Sequence, residues 1–542
     1  MPALVACERV IIMKTVLAAG IYLTWTLSLQ VREGTTPEFS AAPAAERGLD
    51  PVAGCSGPNG NIFNLEPRKN AVTQSAMSVA FLPNRVAPNV DLVVATAADG
   101  RGSGTNQNQT LEDADAYYVQ RSNSNCAPDF EGGVPPINNA IDLFLPFGSP
   151  TVVADPARDA FFIVDLRFGR TTDDNGVGVV RATAANLLNP ASCANGTEPK
   201  SATCWNTGAV VNITTLNAFL SSPHMGVDPR TSGTGAGDLY LTVTEQNPNG
   251  SNTHISLTAC SNATFNCSGA INVTGADAHA DFAWVAVRPD GSITLSYRNT
   301  TFPGINAEDI KFINCTPRGA PAAPVCGSPV LVVHETQPIF AASPGDVAMS
   351  DVLYPKHAHR PESGNSVTTF LVYDRCEVPV RVPGGASGNF CPKTDVVMTF
   401  STNAGHSWSP ISKVSNGAGQ QFFGGIAVDA STRTLNIAYY STQNDPYAQR
   451  LQVFLAQILR NQTWVDKTHL LTGDVADPQS VSPFVVGAPI TGFGDRVGVA
   501  AGGTGSGGHS HAYTTFSWNS VPGIYDGVAN PDINNHLARF DY

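Results

Sequence analysis

The sequence predicts an all-β protein, a β-propeller of four-stranded antiparallel blades. Two observations carry that prediction. The chain has 50 Gly and 39 Pro in 542 residues, and charged residues make up only 14% of it. Turn-forming residues on this scale, together with abundant Val and Thr, are typical of short strands joined by tight turns. The second observation is a strand-turn-strand template that recurs seven times along the chain.

Each copy of the template is an apolar strand, a turn such as Asp-Pro or Pro-Asp, and a second strand rich in Val, Tyr and Leu. The copies span 78–101, 150–167, 223–245, 282–299, 346–375, 423–441 and 495–518. All but the last are followed by two more strand-like runs, which makes four strands per unit. Such units, begun every 59 to 77 residues, are typical of propeller blades. Two packed β-sandwich domains are the alternative.

The last unit lacks a fourth strand. Residues 536–542 supply its third strand, and residues 61–68 lie before the first unit. We therefore expect 61–68 to close the ring as the outer strand of the last blade. Seven blades are predicted; six is the alternative, if the irregular copy at 346–375 belongs to an insertion.

The N-terminus has the features of an export signal. Lys14 precedes an apolar run from Val16 to Leu29, and small residues follow at Ala41 to Ala45. This pattern predicts a signal peptide and leader over 1–45 and a single propeller domain over 46–542. A membrane anchor is the alternative. The predicted location is secreted, extracellular or periplasmic.

The cysteines favour the same location. Removing the leader removes Cys7 and leaves ten, an even number, with no zinc-ligand spacing. Disulfides are retained in oxidising compartments. Close neighbours predict four bonds and the position of the closing strand predicts a fifth: Cys193–Cys204, Cys260–Cys267, Cys315–Cys326, Cys376–Cys391 and Cys55–Cys126.

The net charge of -13 argues against nucleic acid as a partner, because phosphate binding needs clustered Lys and Arg. No cofactor is predicted. Calcium is conceivable at Asp173, Asp174 and Asn175, but the spacing is not that of an EF-hand. No metal site is assigned, because His357 and His359 have no third ligand and are typical of a surface loop.

One turn resembles a known motif. Residues 401–408 read Ser-Thr-Asn-Ala-Gly-His-Ser-Trp, which is similar to the Asp box (BNR-type repeat) of the sialidase superfamily, S-x-D-x-G-x-T-W. Here Asn403 replaces the aspartate and Ser407 the threonine, while Ser401, Gly405 and Trp408 match. The resemblance implies a sialidase-like propeller over roughly 60–542 and a structural role for these residues. The F/Y-R-I-P motif of sialidases is absent.

Disulfides offer a substitute for the missing boxes. The pairs 193/204, 260/267 and 315/326 fall at the equivalent third-to-fourth-strand turns of units two to four. We interpret them as replacing the Asp box as the staple of those turns.

Charged residues gather where second strands end and first strands begin, positions that share one face of a propeller. Converging arginines there would form a fork for a carboxylate. The predicted substrate-binding residues are Arg167, Arg298, Arg375, Arg496 and Asp495. Structural pairing of these arginines with carboxylates of neighbouring blades is the open alternative.

The resemblance implies an aspartic acid and a glutamate-activated tyrosine as the catalytic groups. By position, Asp281, Glu245 and Tyr440 are the candidates. The sequence thus predicts a secreted propeller acting on glycans with an acidic terminal sugar, as an exo-glycosidase of sialidase type. The alternatives are a non-catalytic glycan- or protein-binding propeller and a polysaccharide lyase with His224 or His279 as base.

Overall fold

Seven antiparallel sheets form a β-propeller in the computed structural model, as the sequence predicts. The structure describes residues 62–64, 74–88, 90–99, 115–120, 130–138, 142–172, 174–189, 204–214, 219–247, 252–300, 308–335, 354–377, 380–381, 389–390, 393–415, 417–447, 450–472, 497–503, 510–518, 522–525, 528–531 and 534–542.

The first strand within the described residues, β1 (Ile62–Asn64), belongs to the last blade. Blade one is formed by β2 (Gln74–Ala87), β3 (Val90–Asp99), β4 (Asp115–Gln120) and β5 (Phe130–Gly133). Blade two is formed by β6 (Ile137–Asn138), β7 (Leu143–Asp155), β8 (Ala160–Gly169), β9 (Asn175–Thr183) and β10 (Asn206–Thr214). A short helix, α1 (Ala184–Leu188), follows β9, and the side chain of Thr183 caps its first turn.

Blades three and four carry the middle of the ring. Blade three is formed by β11 (Phe219–Val227), β12 (Leu239–Gln246), β13 (Thr253–Cys260) and β14 (Ile271–Asn272). Blade four is formed by β15 (Ala280–Val287), β16 (Ile293–Thr300), β17 (Glu308–Thr316), β18 (Val325–Cys326) and β19 (Val330–Glu335). Both β18 and β19 pair with β17, so the outer edge of this blade is split.

Blades five to seven complete the ring. Blade five is formed by β20 (Lys356–Pro361), β21 (Val367–Cys376), β24 (Thr394–Ser401) and β25 (Ser412–Lys413). Blade six is formed by β26 (Gln421–Asp429), β27 (Thr434–Ser441), β28 (Gln452–Ile458) and β29 (Lys467–Leu470). Blade seven contains β30 (Gly498–Gly502), β31 (His511–Trp518), β34 (Asn534–Asp541) and β1. The structure also describes a 3-10 turn (Ser363–Asn365) and two hairpins, β22 (Val380–Arg381) with β23 (Asn389–Phe390) and β32 (Pro522–Tyr525) with β33 (Val528–Pro531).

The closing strand is confirmed. Ile62 to Asn64 pair antiparallel with His536 to Ala538, so the N-terminal strand is the outer strand of blade seven. Pairing the two ends of the chain in one sheet removes the gap between the first and last blades. The six-blade alternative does not hold, because the fifth copy forms a blade of its own.

The fifth blade begins later than the sequence predicts. Its inner strand is β20, Lys356–Pro361, whereas the expected apolar run from 346 to 353 lies outside the described residues. The interpretation of His357 and His359 as surface-loop residues is therefore wrong. His357 is 1% exposed, because the strand that carries it packs against blade four.

The core lies between blades as a series of apolar layers. One layer joins blades one and two, another joins two and three, and a third joins three and four. Alternate strand residues point to opposite faces of a sheet, so each blade contributes to the layers on both sides. Those layers hold the second strands rigidly, and with them the side chains at their ends.

Inner strands carry a bulge near their beginning. Register shifts occur there in blades one, two, three, four and six. In four of these the backbone turns left-handed at a non-glycine residue: Ser149, Ser222, Phe282 and Phe423. A bulge redirects the side chains next to it, which is how Phe282 is placed at the end of blade four.

Two predicted disulfides are confirmed. Cys260 is bonded to Cys267 and Cys315 to Cys326, each at a third-to-fourth-strand turn. Cys204 and Cys376 are also disulfide-bonded. Their predicted partners, Cys193 and Cys391, lie outside the described residues, as do Cys55 and Cys126.

The turn that resembles an Asp box connects β24 to β25. The hydroxyl of Ser401 accepts a hydrogen bond from the Gly405 N–H (2.8 Å), and the Asn403 side chain accepts one from the Ser407 N–H (3.0 Å). The Trp408 indole donates to the Gly405 carbonyl (3.1 Å). Gly405 has φ +85°, and a Cβ there would lie 2.5 Å from a phenylalanine ring of blade four. All five residues take part in hydrogen bonds within this turn.

Within the ranges that the structure describes, none of the helices has the length and apolar character needed to cross a membrane.

Candidate functional site

Inner strands begin and second strands end at the same end of the propeller, which we call the mouth face. Blade four places two charged residues there: Asp281 near the start of its inner strand, and Arg298 near the end of its second strand. The two are direct cross-strand partners in the sheet. Blade five places Arg375 near the end of its second strand.

Arg298 lies between two carboxylates and an aromatic ring. Its guanidinium is 3.7 Å from a carboxylate oxygen of Asp281 and 3.8 Å from one of Glu308. The guanidinium carbon lies over the ring of Phe282, 4.2 Å from its centre. These ion pairs are longer than charge-assisted hydrogen bonds, which span about 2.7–2.9 Å. The Arg298 side chain is 9% exposed, so little water screens it.

Asp281 is oriented by its neighbours. Its carboxylate accepts a hydrogen bond from the Thr244 hydroxyl of blade three (2.8 Å) and one from the Phe282 N–H (2.7 Å). The Asp281 side chain is 26% exposed, so it can reach a ligand. Phe282 is also in contact with Tyr354, with ring centres 4.0 Å apart.

Arg375, like Arg298, lies beside a carboxylate group. Its guanidinium is 3.3 Å from Glu335, the last residue of the outer strand of blade four. The Tyr373 hydroxyl donates to the same carboxylate oxygen (2.6 Å). Burial and the Glu335 charge raise the pKa of Tyr373 well above its ordinary value, so this tyrosine is a neutral donor in the structure. The Arg375 side chain is 46% exposed.

Glu245 lies on the mouth side of blade three. Its carboxylate accepts a hydrogen bond from Ser256 (3.0 Å), and His254 lies 3.5 Å away. These hydrogen bonds, first the one with His254, lower the pKa of Glu245. Glu245 directly follows Thr244 on the same strand, so its side chain lies on the opposite face from Thr244, which reaches Asp281.

Arg167 is not at the mouth surface. Its guanidinium is buried between blades one and two, where it pairs with Asp165 (2.5 Å) and donates to the Pro135 carbonyl (2.7 Å). Asp115 is part of the same cluster, and burial raises the pKa of Asp165 to about 6. Arg167 is thus paired structurally, although its ion-pair partner Asp165 lies on its own strand and not on a neighbouring blade.

Tyr440 is also enclosed. It is 1% exposed and packs face to face on Phe422 and edge-on against Phe423. The structure therefore does not bring Tyr440 together with Asp281 at the surface. Arg496 and Asp495 lie outside the described residues.

Neither proposed lyase base is a free surface group. His224 lies inside the inner strand of blade three, where its Nδ1 accepts the Val285 N–H (3.2 Å) and its ring stacks on Trp284 at 3.7 Å. His279 is half-buried and makes further contacts, and its backbone N–H donates to the Asn299 side chain (3.3 Å). Among the described residues, no three His, Cys, Asp or Glu side chains come together in a way that could hold a metal ion.

Sequence reasoning missed the residues that surround the two arginines. Glu335 and Tyr373 are 38 residues apart in the chain, and Tyr354 lies 72 residues beyond Phe282. Only the packing of blade four on blade five brings each pair together. A non-glycine residue in a left-handed bulge, as at Phe282, also leaves no recognisable sequence pattern.

No protein-family model matches this chain, and no curated protein matches it. Among solved structures, a polysaccharide lyase is 10% identical, covers 91% of this chain and 94% of its own, and has a TM-score of 0.42. An α-L-arabinofuranosidase of Fusarium graminearum is 10% identical and covers 74% of this chain and 98% of its own, with a TM-score of 0.40. A Hadza microbial sialidase is 10% identical and covers 80% and 75%, with a TM-score of 0.39. The propeller fold rests on the strand pairing itself.

Proposed function

We propose that this protein is an exported β-propeller that binds glycans through an acidic sugar, held at the mouth face between blades four and five. The observation that carries the proposal is the position of Arg298 over Phe282, with Tyr354 against the same ring. A guanidinium beside an aromatic surface offers a sugar acid both of the contacts it needs, one for the carboxylate and one for the ring.

The arginines supply the first contact. Arg298 and Arg375 end the second strands of adjacent blades, and their distances to protein carboxylates are 3.3 to 3.8 Å. A ligand carboxylate that makes bidentate hydrogen bonds at about 2.7–2.9 Å improves on those ion pairs. The gain is larger because Arg298 is nearly shielded from water.

The aromatic pair supplies the second contact. Phe282 and Tyr354 are both partly exposed at the start of adjacent inner strands. Binding sites for small molecules combine such aromatic surface with a few polar groups that fix orientation. Here Asp281, whose side chain is 26% exposed, is the acceptor available to the hydroxyl groups of a sugar.

Export is the remaining part of the proposal. Cys260–Cys267 and Cys315–Cys326 are formed, and such bonds persist in oxidising compartments. The apolar run from Val16 to Leu29 that suggests a signal lies outside the described residues. Glycans outside the cell are the partners that this location makes available.

Calorimetric titration with acidic monosaccharides and their neutral counterparts tests the proposal. Glucuronic acid or N-acetylneuraminic acid should bind, and glucose and N-acetylglucosamine should not, because only the acids present a carboxylate to the arginines. Equal heats for acidic and neutral sugars would contradict it.

Hydrolysis of the bound sugar is a second candidate, favoured by the hydrogen bond between Tyr373 and Glu335. The 401–408 turn resembles the Asp box of sialidases, and those enzymes use a tyrosine nucleophile paired with a glutamate. Tyr373 and Glu335 then take the roles predicted for Tyr440 and Glu245, with Asp281 as the acid. Tyr373 is 1% exposed, so this chemistry requires the substrate to open the blade four–five junction.

Fluorogenic sialosides and glucuronides test this second candidate. Turnover should be lost in Tyr373→Phe and Asp281→Asn and retained in Tyr439→Phe, a buried tyrosine of blade six that serves as the matched control. Wild-type protein that binds the acids without any turnover would leave the binding function alone standing.

A further inference from the structure

Alternate residues of one blade-four strand form a column that faces blade five. Thr294, Ser296 and Arg298 occupy every second position of β16, so their side chains point to the same side of the sheet. Thr294 and Ser296 are fully buried, whereas Arg298 ends the column at the mouth face. The inner strand of blade five lies opposite.

Ser296 makes two short contacts across that interface. Its hydroxyl is 2.6 Å from the carbonyl oxygen of Pro355 and 2.8 Å from Nδ1 of His357. A hydroxyl has one proton and two lone pairs, so it satisfies both partners by donating to the carbonyl and accepting from an Nδ1–H. This assigns His357 the neutral tautomer with its proton on Nδ1.

The electrostatic surroundings agree with a neutral ring. Burial lowers the pKa of His357 well below its ordinary value, and the nearby His359 and Arg288 lower it further. Nε2 of His357 lies 2.7 Å from the Thr294 hydroxyl. The main chain of His357 is held as well, since its carbonyl accepts the Trp284 indole N–H (3.0 Å).

These contacts fix the point where the chain enters blade five. Pro355 immediately follows Tyr354, whose ring lies 4.0 Å from that of Phe282 beneath Arg298. A consecutive residue is only about 3.8 Å away between Cα atoms, so holding the Pro355 carbonyl also holds Tyr354. Ser296 is itself two positions from Arg298 on the same strand.

We propose that Ser296 is a positioning residue of the sugar-acid site, which sets the distance between Tyr354 of blade five and the Phe282–Arg298 pair of blade four. The inference rests on the proposed function for its ligand, but the placement of Tyr354 is a property of the free protein. A buried hydroxyl that no ligand touches then determines how far Tyr354 lies from the Phe282–Arg298 pair.

Thr294 provides the matched control. It is buried to the same degree, lies on the same face of the same strand and contacts the same histidine. Thr294 differs from Ser296 in its partners. The Ser296 hydroxyl contacts the Pro355 carbonyl, whereas the Thr294 hydroxyl lies within reach of His357, His359 and the Ala286 carbonyl. Ser296→Ala and Thr294→Val each delete one buried hydroxyl and keep the local shape.

The first experiment compares ligand affinity. Titrated with glucuronic acid and N-acetylneuraminic acid, Ser296→Ala should lose about tenfold in affinity, the effect of one lost positioning hydrogen bond. Thr294→Val should stay within about twofold of the wild type, although both variants lower the thermal midpoint by a similar amount. Equal affinity losses in the two variants would overturn the positioning role.

The second experiment needs no ligand. In protein labelled with fluorotyrosine, the resonance of Tyr354 is assigned by its disappearance in Tyr354→Phe. It should move in Ser296→Ala and remain in place in Thr294→Val. An unmoved Tyr354 resonance in Ser296→Ala would overturn the inference. If the resonance moves in Ser296→Ala but the wild-type protein binds no acid, only the proposed function is overturned.

Discussion

Arginines at the two ends of this propeller are held in different ways. At the end opposite the mouth, Arg230 lies 2.6 Å from Asp228 and donates to the Asp290 carbonyl of the next blade at 2.7 Å. Arg158 does the same one blade earlier, pairing with Asp155 (2.9 Å) and donating to the Arg230 carbonyl (2.9 Å). At the mouth, Arg298 and Arg375 are 3.3 to 3.8 Å from their carboxylates.

We interpret this difference as one between arginines that stabilise the fold and the arginines of the proposed ligand site. Arg158 and Arg230 each make short contacts to their own turn and to the following blade. Together these two arginines form a ladder of contacts from blade two to blade four. Charge-assisted hydrogen bonds of this length are about twice as strong as neutral ones, and they stabilise the ring. The longer ion pairs at the mouth contribute less to folding and leave more to be gained from a ligand.

Replacing the glycine beneath a ladder arginine should give the largest loss of stability. Gly291 has φ +89°, and a Cβ there would lie 1.8 Å from the guanidinium carbon of Arg230. Gly291→Ala should lower the free energy of unfolding by roughly 1–3 kcal/mol from backbone strain, and further because Arg230 must move. Gly269→Ala, which meets nothing within 4 Å, is the control for denaturant titration. Similar midpoints for the two variants would remove the basis for the ladder.

Removing single arginines sharpens the comparison. Arg230→Ala should cost about 1.5–3 kcal/mol, because it leaves the buried carboxylate of Asp228 without its charged partner. Arg375→Ala should change stability much less, since its side chain is 46% exposed and water screens its ion pair. Thermal midpoints measured side by side would check this, and a larger drop for Arg375→Ala would reverse our assignment of the two faces.

Two blade-five carboxylates should respond to pH with opposite signs. Burial raises the pKa of Asp374 to about 7, even though its carboxylate accepts the Phe423 and Gly424 N–H groups. An unfolded aspartate ionises near pH 3.9, so unfolding releases a proton between about pH 4 and 7 and stability falls as pH rises through that window.

Glu377 behaves in the opposite way. Hydrogen bonding within the Asp395, Lys393 and Lys413 cluster lowers its pKa to about 2, so its contribution is present above its unfolded pKa and is lost as pH falls toward 2. Denaturant unfolding across pH 2 to 8 should show a shallower decline above pH 4 in Asp374→Asn. Glu377→Gln should alter the acid side and also the range from about pH 4 to 6, because burial and Glu377 together raise the pKa of Asp395 to about 6. An unchanged slope above pH 4 in Asp374→Asn would contradict the raised pKa.

The fold was predictable because its signals are local and repeated. Each strand-turn-strand copy carries its own turn residues, and the short disulfides Cys260–Cys267 and Cys315–Cys326 follow from spacing alone. The closing strand followed from the missing fourth strand of the last unit. Such signals survive without knowledge of how the blades pack.

The site was predictable only in part. Arg298, Arg375 and Asp281 could be placed at the mouth, because strand ends share a face. The burial of Arg167 and Tyr440 could not, since it depends on which side of a buried strand faces the adjacent blade. The short inner strand of blade five was missed because Lys356 to Pro361 lack the apolar pattern of the other copies.

The affinity of Arg298→Ala and Arg375→Ala for glucuronic acid and N-acetylneuraminic acid, measured by calorimetry beside Arg230→Ala, tests the central claim most directly. Removing a mouth arginine should cost roughly 2–5 kcal/mol of binding free energy, because the ligand carboxylate is left unpaired. Arg230→Ala should bind as the wild type does while unfolding at a lower temperature. Unchanged affinity in both mouth variants, or an equal loss in Arg230→Ala, would contradict the assignment of the mouth face as the sugar-acid site.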